Sequence, residues 1–266
     1  MTVSGSAAGP APAAERFITV ASTTSTRDSG LFEHLLPHFT EATGIEVRIV
    51  AVGTGRALRL GERGDVDAVL VHDRSSEEEF VASGFGIERR EVMFNTFVLV
   101  GPGADPARVR NLPDARAALA GIAEAEALFT SRADDSGTHK AELRLWQSAG
   151  IDPRPSSGRW YRETGTGMGA TLNTAAELGA YALSDSGTWL SFKNRRDLTA
   201  LKASGPALRN PYGAIVVNPE RHPHVKHRSA QRFVDWLTSA QGQAAIESFR
   251  LDGAPLFHPV SHASRD

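Results

Sequence analysis

Apolar positions along this chain fall into short unbroken runs separated by stretches with helical spacing. Phe17-Ile18-Thr19-Val20-Ala21 is the first run, and its length suits a buried strand. A polar segment, Ser22 to Gly30, follows it. Leu31, Leu35 and Phe39, with Phe32 and Leu36 beside them, then recur at helical spacing up to Gly44, a residue suited to a left-handed helix cap. Glu46 to Val52 reads as a second strand, ended by Gly53-Thr54-Gly55 and a short helix from about Arg56 to Glu62. Asp67 to Val71 completes a strand–helix–strand–helix–strand unit, the order expected of a parallel sheet.

A longer strand is predicted over Met93 to Gly101, and Asn210 to Pro219 nearly mirrors it. Between them lies a second α/β set. Leu128 to Ser131 and Ala180 to Ser184 read as strands, and Gly137 to Ala149 as a helix with Leu143 and Trp146 on one face. Ala170 to Leu178 is a further helical run. Val225 to Leu237 and Gln241 to Phe249 are the closing helices. This organisation predicts an α/β protein of two lobes, residues 17–99 plus 213–266 and residues 100–212. The two matching strands would be crossovers acting as a hinge, with a ligand cleft between the lobes. Residues 1–16, rich in Ala, Gly, Ser and Pro, are expected to form a disordered leader.

Composition narrows the function classes. The 266 residues are 41% hydrophobic and 23% charged, ordinary for a globular protein, with a formal net charge of −2. Nucleic-acid binders usually carry a basic excess or stripe. Here Lys226-His227-Arg228 is the nearest thing to one, and it reads as a solvated helix start. With no cysteine, disulfides, thiol catalysis and cysteine-ligated metals are excluded. No apolar stretch approaches the ~18 residues that a membrane-spanning helix needs. Met1 to Ala14 lacks the basic start and apolar centre of a signal peptide, which leaves a cytoplasmic location open.

Three segments repeat one design, a strand followed by a loop of glycine and hydroxyl residues and then a helix. They are Ser22-Thr23-Thr24-Ser25, Gly53-Thr54-Gly55, and Ser131 to His139 with Arg132, Ser136, Gly137 and Thr138. A fourth, Glu163 to Gly169 with Thr166 and Gly167, precedes another helix. The first turn of a helix leaves backbone N–H groups unpaired, and the positive end of its dipole suits an anion. Each loop taken alone also fits a simple N-cap. As a set they point to an anion site built mostly from neutral donors. Such a site favours a fully deprotonated oxyanion. Hydrogen phosphate, whose second pKa is about 6, would call for a carboxylate acceptor. Asp28, Asp134 and Asp135 stand near enough in sequence either to fill that role or to cap helices. Arg132, at a strand end, reads as a two-pronged oxyanion contact or as a surface partner of Asp134 or Asp135.

At these residues the chain resembles the tungstate-binding proteins of bacterial ABC uptake systems, which are class II periplasmic binding proteins (PBPs). The matching blocks are STTSTRDSGL, VGTGRALRLGERGDVDAVLVH, SRADDSGTHKAEL, WYRETGTGMGATL, NPYGAIVVNPERHP and the terminal PLFHP. The similarity runs from Phe17 to Pro259. It implies an oxyanion site on Thr24, Ser25, Thr54, Arg132, Ser136, Gly137, Thr138, Thr166 and Gly167, with tungstate or molybdate as ligand and no cofactor. It also implies an ABC permease partner, a periplasmic or cell-surface location, and a monomer. Two departures stand out: STTS replaces the family's usual TTTS, and Ala133 stands where the family commonly has glycine. An export signal of the family's kind is not evident.

Other readings were weighed on residues. His34 and His38, four apart on a predicted helix, have a two-histidine metal spacing, but no HExxH glutamate accompanies them and Pro37 lies between. Ser136-Gly137-Thr138-His139 looks superficially like a nucleophile setting, yet no G-x-S-x-G elbow is present. A binder of phosphate or sulfate on the same fold, or a cytoplasmic oxyanion sensor, stays open alongside tungstate; a hydrolytic enzyme fits less well.

Overall fold

The computed structural model describes residues 17–202 and 204–260. The leader expected over residues 1–16 and the tail from 261 lie outside the described residues. The elements run β1 (Phe17–Thr23), α1 (Thr24–Asp28), α2 (Leu31–Thr43), β2 (Glu46–Val52), α3 (Thr54–Glu62), β3 (Ala68–Val71), α4 (Arg74–Ala82) and β4 (Gly86–Pro102). Next come α5 (Ala115–Glu124), β5 (Phe129–Ser131), α6 (Gly137–Ser148), β6 (Tyr161–Glu163), α7 (Met168–Leu178), β7 (Tyr181–Asp185) and α8 (Ser186–Ser191). β8 (Leu198–Lys202), β9 (Arg209–Val217), α9 (His227–Thr238) and α10 (Ala240–Ser248) complete the helical and main-strand framework.

One mixed sheet organises the chain, with strands in the order β2-β1-β3-β9-β4-β7-β5-β6 and β8 also on β4. Its two ends are parallel as expected: β1 pairs with β2 and β3, and β5 pairs with β6 and β7. Its centre is antiparallel, through the β3–β9, β9–β4 and β4–β7 pairings. This antiparallel centre is built by the two matching long strands, and β4 extends well before the Met93–Gly101 run read from sequence. Residues Gly86 to Thr96 of β4 pair with β9, and Phe97 to Pro102 pair with β7 and β8. Register shifts between Gly86 and Arg89 and between Glu91 and Met93 let the polar first half stay in the ladder.

Both faces of the sheet are covered, which is why its strands read as unbroken apolar runs rather than as alternation. In β3, Leu70 faces a core that includes Phe39, Phe233 and Trp236 of α2 and α9, whereas Val69 and Val71 face Leu58 and Phe80 of α3 and α4. In β4, Leu99 joins Phe129, Trp146 and Tyr181 on one face, and Val98 and Val100 join Leu172 and Trp189 on the other. The fully buried members of the first two clusters come from residues up to Met93 and from Tyr212 onward. Those of the second two come from Phe97 to Leu208. The helix starts of α1, α3, α6, α7 and α8 all follow carboxyl ends of strands, where open α/β sheets hold ligands.

Candidate functional site

The first loop is tighter than its polar sequence suggests. β1 continues to Thr23, whose Oγ1 accepts the Thr26 N–H at 3.3 Å and lies 2.6 Å from Thr26 Oγ1, which caps a five-residue helix. Thr24 and Ser25 occupy its first turn, half-buried. Thr54 opens α3 and is fully buried, and its Oγ1 has no hydrogen-bond partner among the described residues. In the third loop the backbone turns twice into the left-handed region, at Ala133 (φ 48°) and Asp135 (φ 57°). A glycine would adopt the first of these without strain, a physical reason for glycine to be common there. Ser136 then caps α6 by accepting the His139 N–H at 3.3 Å. Thr138, one residue past Gly137, is buried, and its Oγ1 likewise has no partner among the described residues. In the fourth loop Gly167 precedes α7. Thr166 is exposed, and its hydroxyl donates to Thr164 Oγ1 at 3.1 Å.

Three of these loops meet around a cavity of about 350 Å³, whose lining includes Thr24, Ser25, Arg132 and Gly167. Thr54, Ser136, Gly137, Thr138 and Thr166 are not among the lining residues, and Thr54 and Thr138 are all but fully buried. The second and third loops abut directly. A Cβ placed on Gly55 would stand 2.6 Å from Asp135 Oδ2, and one on Gly137 would stand 2.8 Å from the His72 ring. Glycine is required at 137, where the buried His72 ring and backbone cannot give way, whereas the exposed Asp135 side chain could move aside at 55.

Arg132 combines features of both readings made from sequence. It pairs with Asp134, through Nε at 3.2 Å and Nη2 at 2.6 Å to Oδ2, yet its side chain is only 7% exposed and lines the cavity. The expectation of a surface arginine fails because β5 delivers Arg132 into the cleft. Asp134 Oδ1 accepts the Ser136 N–H at 3.2 Å, so this carboxylate also stabilises the helix start. Asp28 does line the cavity, with its charge engaged by Arg27 at 2.7 Å. Asp135 is exposed, 3.7 Å from Lys140 Nζ.

Residues of the β7–α8 junction were not anticipated. Gly187, Thr188 and Ser191 line the cavity. A signal existed: Asp185-Ser186-Gly187-Thr188 repeats Asp135-Ser136-Gly137-Thr138 letter for letter. The two copies cap differently. In the second copy the aspartate is the cap, accepting Thr188 N–H at 2.8 Å and Thr188 Oγ1 at 2.6 Å, whereas in the first it is the serine. Two further polar groups are buried: His72, one of the histidines that could suggest catalysis or metal binding from sequence, and Glu142, which was not singled out from sequence. His72, on the β3–α4 junction, lies 3.1 Å from Asn210 Oδ1, and burial pushes its ring below the usual imidazole range. Glu142 of α6 accepts Tyr161 O–H at 2.7 Å and Trp146 Nε1–H at 3.3 Å, and burial pushes its carboxyl up to about 7.

Among the described residues no group of three or more His, Cys, Asp or Glu is arranged to hold a metal ion, and no helix is long and apolar enough to cross a membrane. His34 Nε2 instead lies 3.0 Å from Ala245 O. The arrangement concentrates helix starts, hydroxyls and one buried guanidinium on a single cleft, a donor set for an oxyanion.

Known proteins are similar to this chain in sequence and in fold. A family model for the PBP superfamily domain matches residues 6–241. The tungstate-binding protein TupA of Peptoclostridium acidaminophilum is 47% identical over 91% of this chain and 85% of its own length. The solved tungstate-binding protein TupA from Desulfovibrio alaskensis G20 superposes with a TM-score of 0.81 at 45% identity, covering 91% of this chain and 98% of the other. The solved tungstate ABC transporter chain from Geobacter sulfurreducens gives 0.79 at 47% identity, covering 88% and 98%. The chain therefore belongs to the PBP superfamily, in the family of the TupA tungstate-binding proteins.

Proposed function

We propose that this chain binds tungstate in the cavity between β1–α1, β5–α6, β6–α7 and β7–α8, with molybdate as its nearest competitor, and presents it to an ABC permease for uptake. The observation that carries the reading is the lining of that cavity, which gathers Thr24 and Ser25 of the α1 start, Gly167 ahead of α7, and Gly187 and Thr188 of the α8 start around Arg132. Helix starts and short hydroxyls are donors suited to an anion. Thr54 Oγ1 and Thr138 Oγ1, buried at the starts of α3 and α6 without a partner among the described residues, lie outside that lining and are further candidate donors. Arg132 supplies the one buried positive side chain on the cavity wall. The names of the relatives support tungstate as the ion and ABC uptake as the setting.

Binding without chemistry fits the site. Ser191 donates its hydroxyl hydrogen to backbone carbonyls, and Asp185, which accepts from Thr188 Oγ1, is also engaged by the Thr188 N–H as the cap of α8. The two crossings of the sheet, within β4 near Thr96 and ahead of β9 near Leu208, would act as hinge between lobes of residues 17–99 plus 213–266 and 100–212. Delivery to a permease places the working protein in the periplasm or at the cell surface.

The test is calorimetric titration of the full chain with tungstate, molybdate, sulfate and phosphate. Tungstate and molybdate are expected to bind far more tightly than the other two. Phosphate binding tightest would overturn the choice of ion, and no binding by any of the four would overturn the oxyanion site.

A further inference from the structure

The guanidinium of Arg132 has five N–H donors in one plane. Asp134 takes the Nε–Nη2 edge, with both bonds ending on Oδ2. Arg132 makes no other side-chain hydrogen bond among the described residues, which leaves the Nη1-bearing edge of a cavity-lining side chain uncommitted. The other oxygen of Asp134, Oδ1, holds the Ser136 N–H at the cap of α6. One carboxylate thus ties the orientation of the charged donor to the helix start that carries Thr138. The backbone on either side of Asp134 is in the left-handed region, at Ala133 and Asp135. Both members are shielded, with side-chain exposures of 7% and 20%, so the pairing is not an incidental surface contact.

We propose that Asp134 is a positioning residue for oxyanion binding. It fixes the plane of the Arg132 guanidinium so that its free edge faces the anion in register with the α6 start. The proposal rests on the oxyanion reading of the cavity and goes beyond it by giving a carboxylate a favourable role in an anion site. Simple charge counting predicts the opposite. Removing a negative charge beside the only buried arginine of the cavity should strengthen attraction for a dianion. A fork held in one plane, by contrast, has its ordering completed before the ligand arrives, and loses affinity when released.

The sign of one measurement separates the two. Tungstate affinity of the full chain would be measured for wild type, Asp134→Asn, Arg132→Lys and the double variant, with thermal melts confirming that each is folded. Asn keeps the size and one acceptor oxygen for Ser136 N–H but lacks the charge that holds Arg132. The expected result is binding weakened about tenfold or more in Asp134→Asn. In the Arg132→Lys background, where no fork remains to be oriented, the same change should weaken binding by less than about threefold. Unchanged or tighter binding by Asp134→Asn would overturn the proposal. So would an equal loss in both backgrounds, which would mark Asp134 as acting through the loop rather than through Arg132. If wild type itself binds none of the oxyanions, the oxyanion reading fails first, and that outcome is distinct from wild-type binding with an indifferent Asp134.

Discussion

Thr54 and Thr138 occupy positions where a buried residue normally has every polar atom paired. Each lies at most 1% exposed, and each hydroxyl oxygen lacks a partner among the described residues. That makes an unusual prediction possible, because stability and binding should respond with opposite signs. Thr→Val at either position removes the hydroxyl while keeping the branched shape. The unliganded protein should melt at the same temperature or higher, since an unsatisfied group is lost. Tungstate affinity should fall by about 1.5–3 kcal/mol per site, the usual worth of a hydrogen bond to a charged partner, or roughly ten- to a hundredfold. Melts and titrations of the two variants check this. A lowered melting temperature with unchanged affinity would mean that the hydroxyls serve the fold and not the ion. By contrast, His34, His72, His139, His222 and His224 all have ring-nitrogen contacts with protein atoms.

At the scale of elements, helix α6 joins the site to the core. Its start carries Ser136 to Thr138, and one turn further along Glu142 is buried against Tyr161 and Trp146. Burial raises the Glu142 carboxyl from its ordinary 4.5 to about 7. Between those values the unfolded chain has released the proton while the folded protein keeps it. Stability from this group is therefore fully present below 4.5, declines as pH rises toward 7, and levels off above it. The decline amounts to about 3 kcal/mol at most. Glu142→Gln keeps the neutral form's shape at every pH. Its stability relative to wild type should therefore climb as pH rises from 4.5 to about 7.5, whatever its offset at the acid end. A difference flat across that range would show that Glu142 is ionised throughout. The same helix shows what could be read in advance. Its span was legible, within a residue, from Gly137 and the Trp146 face, as were α2 ending at Gly44 and β2 from Glu46 to Val52. Helices α1, α4, α5 and α8 and strands β6 and β8 were not anticipated. α4, Arg-Ser-Ser-Glu-Glu-Glu-Phe-Val-Ala, buries little beyond Glu77 and Phe80, so it has almost no apolar period to detect. Glu77 is paired in the interior with Arg89 from β4, a contact fixed only by tertiary structure. In the site, local chemistry pointed to strand ends and helix starts, but not to which loops meet. The cavity role of Gly187 and Thr188 arises from strand order rather than from any one segment, whereas the Arg132–Asp134 pair is local and was legible, and only its burial beside the cavity was not.

Strand order also decides how the whole molecule would respond to its ligand. The four apolar clusters divide at the same two places, between Met93 and Phe97 in β4 and between Leu208 and Tyr212 at the entry to β9. At that boundary Asn95 and Asn210 face one another across the β4–β9 ladder, joined by an amide hydrogen bond of 2.7 Å. Asn210 also meets His72 at 3.1 Å, and His72 lies against Tyr212 with ring centroids 4.8 Å apart. A Cβ on Gly137 would strike the same His72 ring. The proposed hinge is thus a buried polar seam in contact with the start of α6, not a flexible linker. The cavity draws Thr24 and Ser25 from one side of that seam and Arg132, Gly167 and Thr188 from the other. An anion bridging the two sides interacts better when they are close, so it should shift the population toward the closed arrangement. Small-angle X-ray scattering with saturating tungstate should then give a smaller radius of gyration than the ligand-free protein gives. Sulfate at a concentration that leaves the site empty should produce no change. An unchanged radius at full tungstate occupancy would mean that the seam is rigid and that the ion enters a preformed cleft. In that case stabilisation by the ligand, about 2.7 kcal/mol at a hundredfold excess over Kd, would arise from occupancy alone and not from closure.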